Sequence, residues 1–427
     1  MESPEPLPLT AAAQPPSGRF LAVLLLILAL GAALRLVPVP AFQAVGFDEA
    51  LYRDYAVKLD QVGLLGYPDI CALYLEQQQR PEAGAKLPPT RFLYVGCATL
   101  WKNLFHRDTP MADPRQPGFA GRDPYLRSLK SVSTLFSLLQ LALLPFCVWR
   151  MLGPGPVIPA TALLACAPIP IHMAQHALID GFFGFWAMLA LWLLWESLQR
   201  PLPGRLLALG ASCAALVLAK ENAFFVGAGL GLLLLLANRA GFGKPVKHVW
   251  LACGAGTLLG VSLLTLLAGG FETVLAVYKL LVTQASVLPY AIQTGDGPWH
   301  RYLLDLLTVN PVLFCFAMAA ALGNGWRVPA TAYLLAFVGA TYLVMCNVRY
   351  GMNLRYTTLW DFPLCILAAT QIRHWAGCFP SRSVLLENAL LGAACLSALH
   401  LYHVLFIQHP LYELASRGLL EALKILK

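Results

Sequence analysis

Long apolar runs separated by short polar connections organise this chain. A bilayer core is crossed by about 20 apolar residues in a helix, with a range of roughly 17 to 25. Runs of that kind cover residues 20–38, 129–149, 157–176, 181–198, 204–219, 223–238, 248–268, 303–322, 328–346, 356–372 and 385–406. The pattern predicts an all-α polytopic membrane protein with about eleven transmembrane helices by that length rule. The stretch RFLYVGCATLWKNLF at 91–105 is too short to cross and carries Lys102. It reads as an amphipathic helix lying in the interface.

The connections set the sidedness. Lys and Arg accumulate in short cytoplasmic loops, and alternate connections hold Arg150, then Arg200 and Arg205, then Arg239, Lys244 and Lys247, then Arg327, then Arg373 and Arg382. With those loops inside, the N-terminus is cytoplasmic and the C-terminus is not. Three larger regions then face outward, 39–128, 269–302 and 407–427. Residues 1–19 form a cytoplasmic tail that is Pro-rich and acidic, so the run after it is expected to be a retained span rather than a cleaved leader. Segment 407–427 is expected to be a short outer amphipathic helix, with no large soluble domain after it.

Composition agrees with the pattern. Of the 427 residues, 58% are hydrophobic and 12% charged, where soluble domains carry about 25% charged residues; mean hydropathy is +0.64. The net charge of +8 is dispersed over loops between apolar runs, which fits a membrane protein and not a nucleic-acid binder. The eleven cysteines include no CxxC pair and mostly lie inside apolar runs, where cysteine packs as a small hydrophobe. Cys71 and Cys97 share the first outer region, where a disulfide and two free thiols are both open readings.

Rare charges mark candidate chemistry. Asp48 and Glu49 stand just past the first span, Asp180 closes the third, Lys220 and Glu221 form the turn between the fifth and sixth, and Arg349 and Arg355 precede the tenth. Each alone has the ordinary reading of a charge snorkelling to the interface. Together they put acids and bases at one outer level, a set able to hold a phosphate and to accept a proton. Asp361 lies inside the tenth span, where an ionisable group is costly unless paired or facing a cavity; it is expected to face a cavity near Arg355. Prolines in GYPDI and AKLPPTRFLYV turn the chain along the surface. Tyr67, Tyr74, Tyr94, Trp101 and Tyr125 are interfacial residue types; they read either as anchors in an aromatic belt or as part of a cleft built by region 39–128, and the two readings are compatible. The loop PYAIQTGDGPWHRYLL, 289–304, reads equally as a flap bringing Trp299, His300 and Arg301 to a lipid head group, or as a connection with interface anchors.

In chain order, GFDEALY, KLPPTRFLYV, YLRSLKSVSTLF, HALID, LAKENAFF and LRYTTLWDFPLCILAA resemble the motif series of GT-C glycosyltransferases, above all the group with the lipid A aminoarabinose transferases and protein O-mannosyltransferases. The resemblance implies a GT-C-like bundle over 20–406, with interfacial helices in the first outer loop. It implies a polyprenyl-phosphate sugar donor and transfer, usually with inversion, to an acceptor on the non-cytoplasmic face, whether lipid, protein or glycan. Carried over by position, Asp48 is the general base with Glu49 beside it, and Asp180 the second acid. Lys86, Arg91, Arg127, Lys220 and Arg355 match donor-phosphate cations, with Arg349 behind them. No cofactor is required on this reading, and Asp48, Glu49 and Asp180 are the oxygen ligands should a divalent metal take part. TLWDFP is less apolar than the family's usual tenth span, and KEN replaces its commoner turn. Richness in Ala, Leu and Gly suggests a bacterial inner membrane, where the outward site is periplasmic, and an endoplasmic reticulum enzyme would have the same sidedness. The rival readings are a flippase or transporter, or a polymerase of lipid-linked glycans. Transporters tend to carry polar groups near the midplane in repeated halves, whereas these charges lie at outer ends without a clear repeat.

Overall fold

The structure, a computed structural model, describes residues 17–39, 45–78, 86–113, 115–116, 118–285, 295, 297–348 and 352–409. Arg349 and nearly all of the C-terminal 407–427 segment fall outside that set, as does most of the Gly-rich loop before Trp299.

The first apolar run folds as α1 (Gly18–Leu36), whose cap Ser17 accepts the Phe20 N–H. The first outer region carries α2 (Phe47–Val62), α3 (Tyr67–Gln78), α4 (Phe92–Phe105) and the short α5 (Phe119–Arg122). Helix α6 (Pro124–Leu152) starts where sequence rules want it: Asp123 caps the N–H groups of Tyr125 and Leu126, and Pro124 takes the first turn. The next run splits into α7 (Val157–Cys166) and α8 (Pro168–Ala174), bent by 56°, because Pro168 cannot continue the ladder and restrains Ala167 to extended backbone. Then come α9 (Asp180–Gln199), α10 (Pro203–Ala219), α11 (Ala223–Leu236), α12 (Lys247–Leu267) and α13 (Phe271–Ala285). The predicted span at 303–322 is likewise two helices, α14 (Arg301–Val309) and α15 (Pro311–Leu322). The last three are α16 (Pro329–Met345), α17 (Thr358–Gly377) and α18 (Ser383–Tyr402), which runs into a π turn at His403–Gln408.

All regular structure among the described residues is helical. Among the described residues five helices qualify as spans by length and hydropathy, or six with the bent pair α7 and α8 counted as one. Helices α10, α11, α15 and α16 are apolar but shorter. Helix α9 is the central post, with 83% of its apolar window buried, whereas α1 at 11% and α12 at 22% present their apolar faces outward, as lipid-facing helices do. Helices α6 and α9 run in the same direction. At their C-terminal ends Glu196 is 3% exposed and bound by Arg150 at 2.7 Å and Arg205 at 3.1 Å, so the basic loops are drawn to one end of the bundle. Their N-terminal ends, beside Asp180, carry the candidate site.

One expectation changes in the first outer region, and an open one is decided. Tyr67 and Tyr94 are fully buried and Tyr74 and Tyr125 nearly so, so these are packing residues under the surface helices and not belt anchors. The Tyr94 hydroxyl binds Ser133 and the Leu129 carbonyl of α6, while Tyr67 bonds Tyr55 and the Pro89 carbonyl. Trp101 is half-buried and packs on Phe105. Cys71 and Cys97 are free thiols.

Candidate active site

Helix α2 begins with Gly46 as its cap. The Gly46 N–H donates to Glu49 Oε2 at 2.8 Å, the back-reaching half of a capping box. Glu49 Oε1 accepts the Ala177 N–H at 2.6 Å and faces His176 Nδ1 at 3.2 Å. Burial alone raises this carboxyl; the His176 contact and the two backbone N–H groups outweigh it and hold Glu49 below the usual carboxylate range. With its oxygens so engaged, Glu49 fastens α2 to the turn between α8 and α9. Asp48 is about 100° around the helix from Glu49. Its Oδ2 lies 2.8 Å from the Arg355 guanidinium, and its side chain keeps 20% exposure.

The turn that holds Glu49 ends at Asp180, the first residue of α9. Asp180 Oδ1 is 2.6 Å from Lys220 Nζ, and its carbonyl accepts the Thr358 hydroxyl at 3.2 Å. Lys220 ends α10 in extended backbone, and its ammonium lies 4.1 Å from the centre of the Tyr356 ring, a cation–π contact. Glu221, next along the turn, binds Arg91 at the start of α4, and Arg91 donates to the Tyr52 hydroxyl at 2.7 Å. Burial alone would lower the Arg91 guanidinium; Glu221 and Tyr52 hold it above its ordinary value. Residues from Asp48 to Arg355 thus converge as three carboxylate–cation pairs, Asp48–Arg355, Asp180–Lys220 and Glu221–Arg91. Asp180 also lies within electrostatic reach of Arg355 and Arg91, so the pairs form one field.

Other expected residues stand elsewhere. Lys86 is exposed and lines a small cleft of about 60 Å³ with Asp54, Lys58 and Tyr74. Arg127 faces a different cavity, of about 1000 Å³, shared with Arg122, Lys130 and Glu49. Trp299 is 62% exposed, with its carbonyl bound by the Tyr342 hydroxyl and its ring edge-on to His300. Arg301 turns inward, 3.8 Å from Asp305, rather than toward a head group. Asp361 does line a cavity, about 20 Å³ in size, but its electrostatic partner is Arg35 of α1, not Arg355. The sequence reading missed Tyr52, His176 and Tyr356. Tyr52 had a usable signal, since it lies four residues after Asp48 and so on the same helix face.

The donor set for a metal does not fit as it stands. Asp48 is held by Arg355, Asp180 by Lys220, and Glu49 by two backbone N–H groups and His176. Among the described residues no three His, Cys, Asp or Glu side chains are grouped to hold an ion. A divalent ion there would have to displace both cations.

No protein-family model and no curated protein sequence matches the chain. Solved structures do. The oligosaccharyltransferase of Archaeoglobus fulgidus, in a complex with zinc and sulfate, superposes with a TM-score of 0.58 at 14% identity over 90% of this chain. The chain spans about half of that protein, 53% of its length. A further structure of the same archaeal enzyme carries an inhibitory peptide and a dolichol-phosphate, with a TM-score of 0.53. ArnT from Cupriavidus metallidurans, bound to undecaprenyl phosphate, matches at a TM-score of 0.51 and 15% identity, over 95% of this chain and 73% of that one. At these identities the likeness is one of fold alone: the chain has the fold of the GT-C glycosyltransferases.

Proposed function

We propose that this chain is a glycosyltransferase that moves a sugar from a polyprenyl-phosphate donor to an acceptor at the non-cytoplasmic membrane surface. One observation carries the reading: Asp48, the most open acid of the cluster, is paired with a guanidinium beside a second, buried acid–cation pair. Undecaprenyl phosphate and dolichol-phosphate in the similar structures support the donor class.

The chemistry follows from the pairing. Arg355 offers planar bidentate contacts to a phosphate, and Lys220 a point charge. As the donor phosphate takes Arg355, the Asp48 carboxylate is released to accept the proton of an acceptor hydroxyl or amine. The acceptor atom bonds to the anomeric carbon from the face opposite the phosphate, the carbon–oxygen bond to phosphate breaks, and its electron pair leaves with the phosphate. Inversion is the stereochemical result. Fixed cations in a buried site stabilise that growing charge without reorganising. Glu49 positions α2, and with it Asp48, without touching the reacting atoms.

Mass spectrometry of lipids retained by the mildly solubilised protein, after incubation with a polyprenyl-phosphate sugar pool, tests the donor class. A retained polyprenyl-phosphate sugar supports it; only bulk phospholipid contradicts it. A flippase would retain the same lipid but leave the sugar–phosphate bond intact, so a timed assay for free polyprenyl phosphate separates the two.

A further inference from the structure

Two breaks in the helical structure meet one turn beneath the candidate site. Thr358 holds the Asp180 carbonyl, and Asp361 follows it by three residues on α17, about 4.5 Å further along the helix. A cavity of about 20 Å³ lies there, walled by Ala167 and Pro168 at the α7–α8 bend, by Val309 and Asn310 where α14 gives way to α15, and by Asp361 and Cys365 of α17. Each of these segments carries proline: Pro168 and Pro170 in α8, Pro311 at the start of α15 and Pro363 in α17. A proline has no N–H to give, so the backbone around the cavity is richer in acceptors than in donors. Two side chains extend the imbalance. Asn310 is 8% exposed, and its Oδ1 is buried with no hydrogen-bond partner among the described residues. Asp361 makes no hydrogen bond or ion pair among them. Arg35 acts on it only at a distance, since the Arg35 N–H groups are given to Ser137 Oγ and to carbonyls of Gly31, Leu164 and Ala165.

We infer that this cavity binds one dehydrated sodium ion, held by Asp361, Asn310 and backbone oxygens at the helix breaks. A carboxylate and an orphaned amide oxygen around one small space call for a positive occupant, because a charge at this depth is costly alone. The volume admits one water-sized body. Oxygen donors select a hard cation over the soft ones that thiolates prefer. A single carboxylate carries too little charge for calcium, and magnesium keeps several waters for which there is no room. Broken helices in ion-coupled carriers hold sodium with the same donor types. The bound ion ties α8 and α17 to the junction of α14 and α15. Helix α8 leads into the turn bearing His176 and Asp180, and α17 follows Arg355, so the ion braces the acid–cation cluster from below. The inference stands whatever reaction that cluster performs.

The experiment uses the full-length protein in nanodiscs, washed free of sodium in choline chloride, with radioactive sodium as the probe. Scintillation proximity counting should find one saturable site per chain, displaced by unlabelled sodium and not by choline. Asp361→Asn should weaken binding by at least about tenfold, and Asn310→Ala by a smaller factor. Asp48→Asn should bind sodium as the wild type does, which separates this cavity from the acid–cation cluster. Melting temperature should rise with sodium against choline at equal ionic strength, because a ligand of the folded state stabilises it, and the rise should vanish in Asp361→Asn. Should Asp361→Asn fail to fold, the wild type and Asn310→Ala decide the matter. No saturable sodium binding by the wild type overturns the proposal, as does binding lost in Asp48→Asn and kept in Asn310→Ala. A melting temperature that responds equally to sodium and choline, or to acid alone, also overturns it, the latter by putting a proton on Asp361 and a water in the cavity.

Discussion

Asp48 and Glu49 differ less in chemistry than in what surrounds them. Glu49 is 6% exposed and engaged on both oxygens, so its charge serves the fold. Its folded-state pKa lies below the unfolded value, so its contribution is complete above the ordinary carboxylate range, near about 4.3, and is lost as pH falls through the lower folded value. Glu49→Gln should therefore lower stability by about 1–3 kcal/mol near neutral pH, and the gap in melting temperature from wild type should close as pH drops below about 4. A gap that stays constant with pH contradicts this role. Lys220 is a sharper case, since Lys220→Met strands the Asp180 carboxylate in a site where both partners are almost fully buried. The expected cost is about 3–5 kcal/mol, largely recovered in the double variant with Asp180→Asn, as read by thermal melting. Asp48, Asp180, Lys220 and Arg355 were legible in the sequence because charges are rare in so apolar a chain. Glu221 as the partner of Arg91 was not, because nothing local joins residues 130 positions apart. Tyr67 and Tyr94 misled for a related reason: the residue type that anchors an interface also fills the space beneath an interfacial helix.

Among the elements, run length located the helices but not their interruptions. Residues 157–176 are mostly apolar and carry three prolines, Pro159, Pro168 and Pro170, of which Pro168 marks the place where the run turns, bending the chain into the segment that carries His176 and Asp180. That bend brings the Ala177 N–H to Glu49. Hydropathy also gives the level of a residue along the membrane normal, not its direction around a helix. Arg127 stands at the end of the bundle that holds Asp180 yet faces a different compartment from Arg355 for that reason. Close helix contacts are set by small residues, as between α10 and α12, where a Cβ on Gly256 would come within 2.2 Å of the Gly210 carbonyl oxygen. Gly256→Ala should force the two helices apart and cost about 1–3 kcal/mol. Gly254→Ala, with nothing within 4 Å of the added carbon, is the control and should be neutral or slightly stabilising. Equal melting temperatures for the two variants would contradict that close contact.

For the whole molecule, the end holding Glu196 between Arg150 and Arg205 lies opposite the end holding Asp180, so charge and site divide the bundle along its axis. The positive-inside rule then orients it. In a background with Cys315 and Cys378 replaced by Ser, Leu65→Cys, at a 97% exposed position between α2 and α3, should react with an impermeant maleimide added outside intact cells. Gly204→Cys, at the start of α10, should react only after permeabilisation; the reverse pattern would turn the site to the cytoplasm. The claim on which all else depends is that Asp48 takes the proton in a transfer to the outer face. Single-turnover release of polyprenyl phosphate from a labelled donor should fall by about 10²–10⁴ in Asp48→Asn, the usual contribution of a general base, while melting temperature and donor retention stay those of wild type. Turnover of Asp48→Asn at the wild-type rate would contradict it.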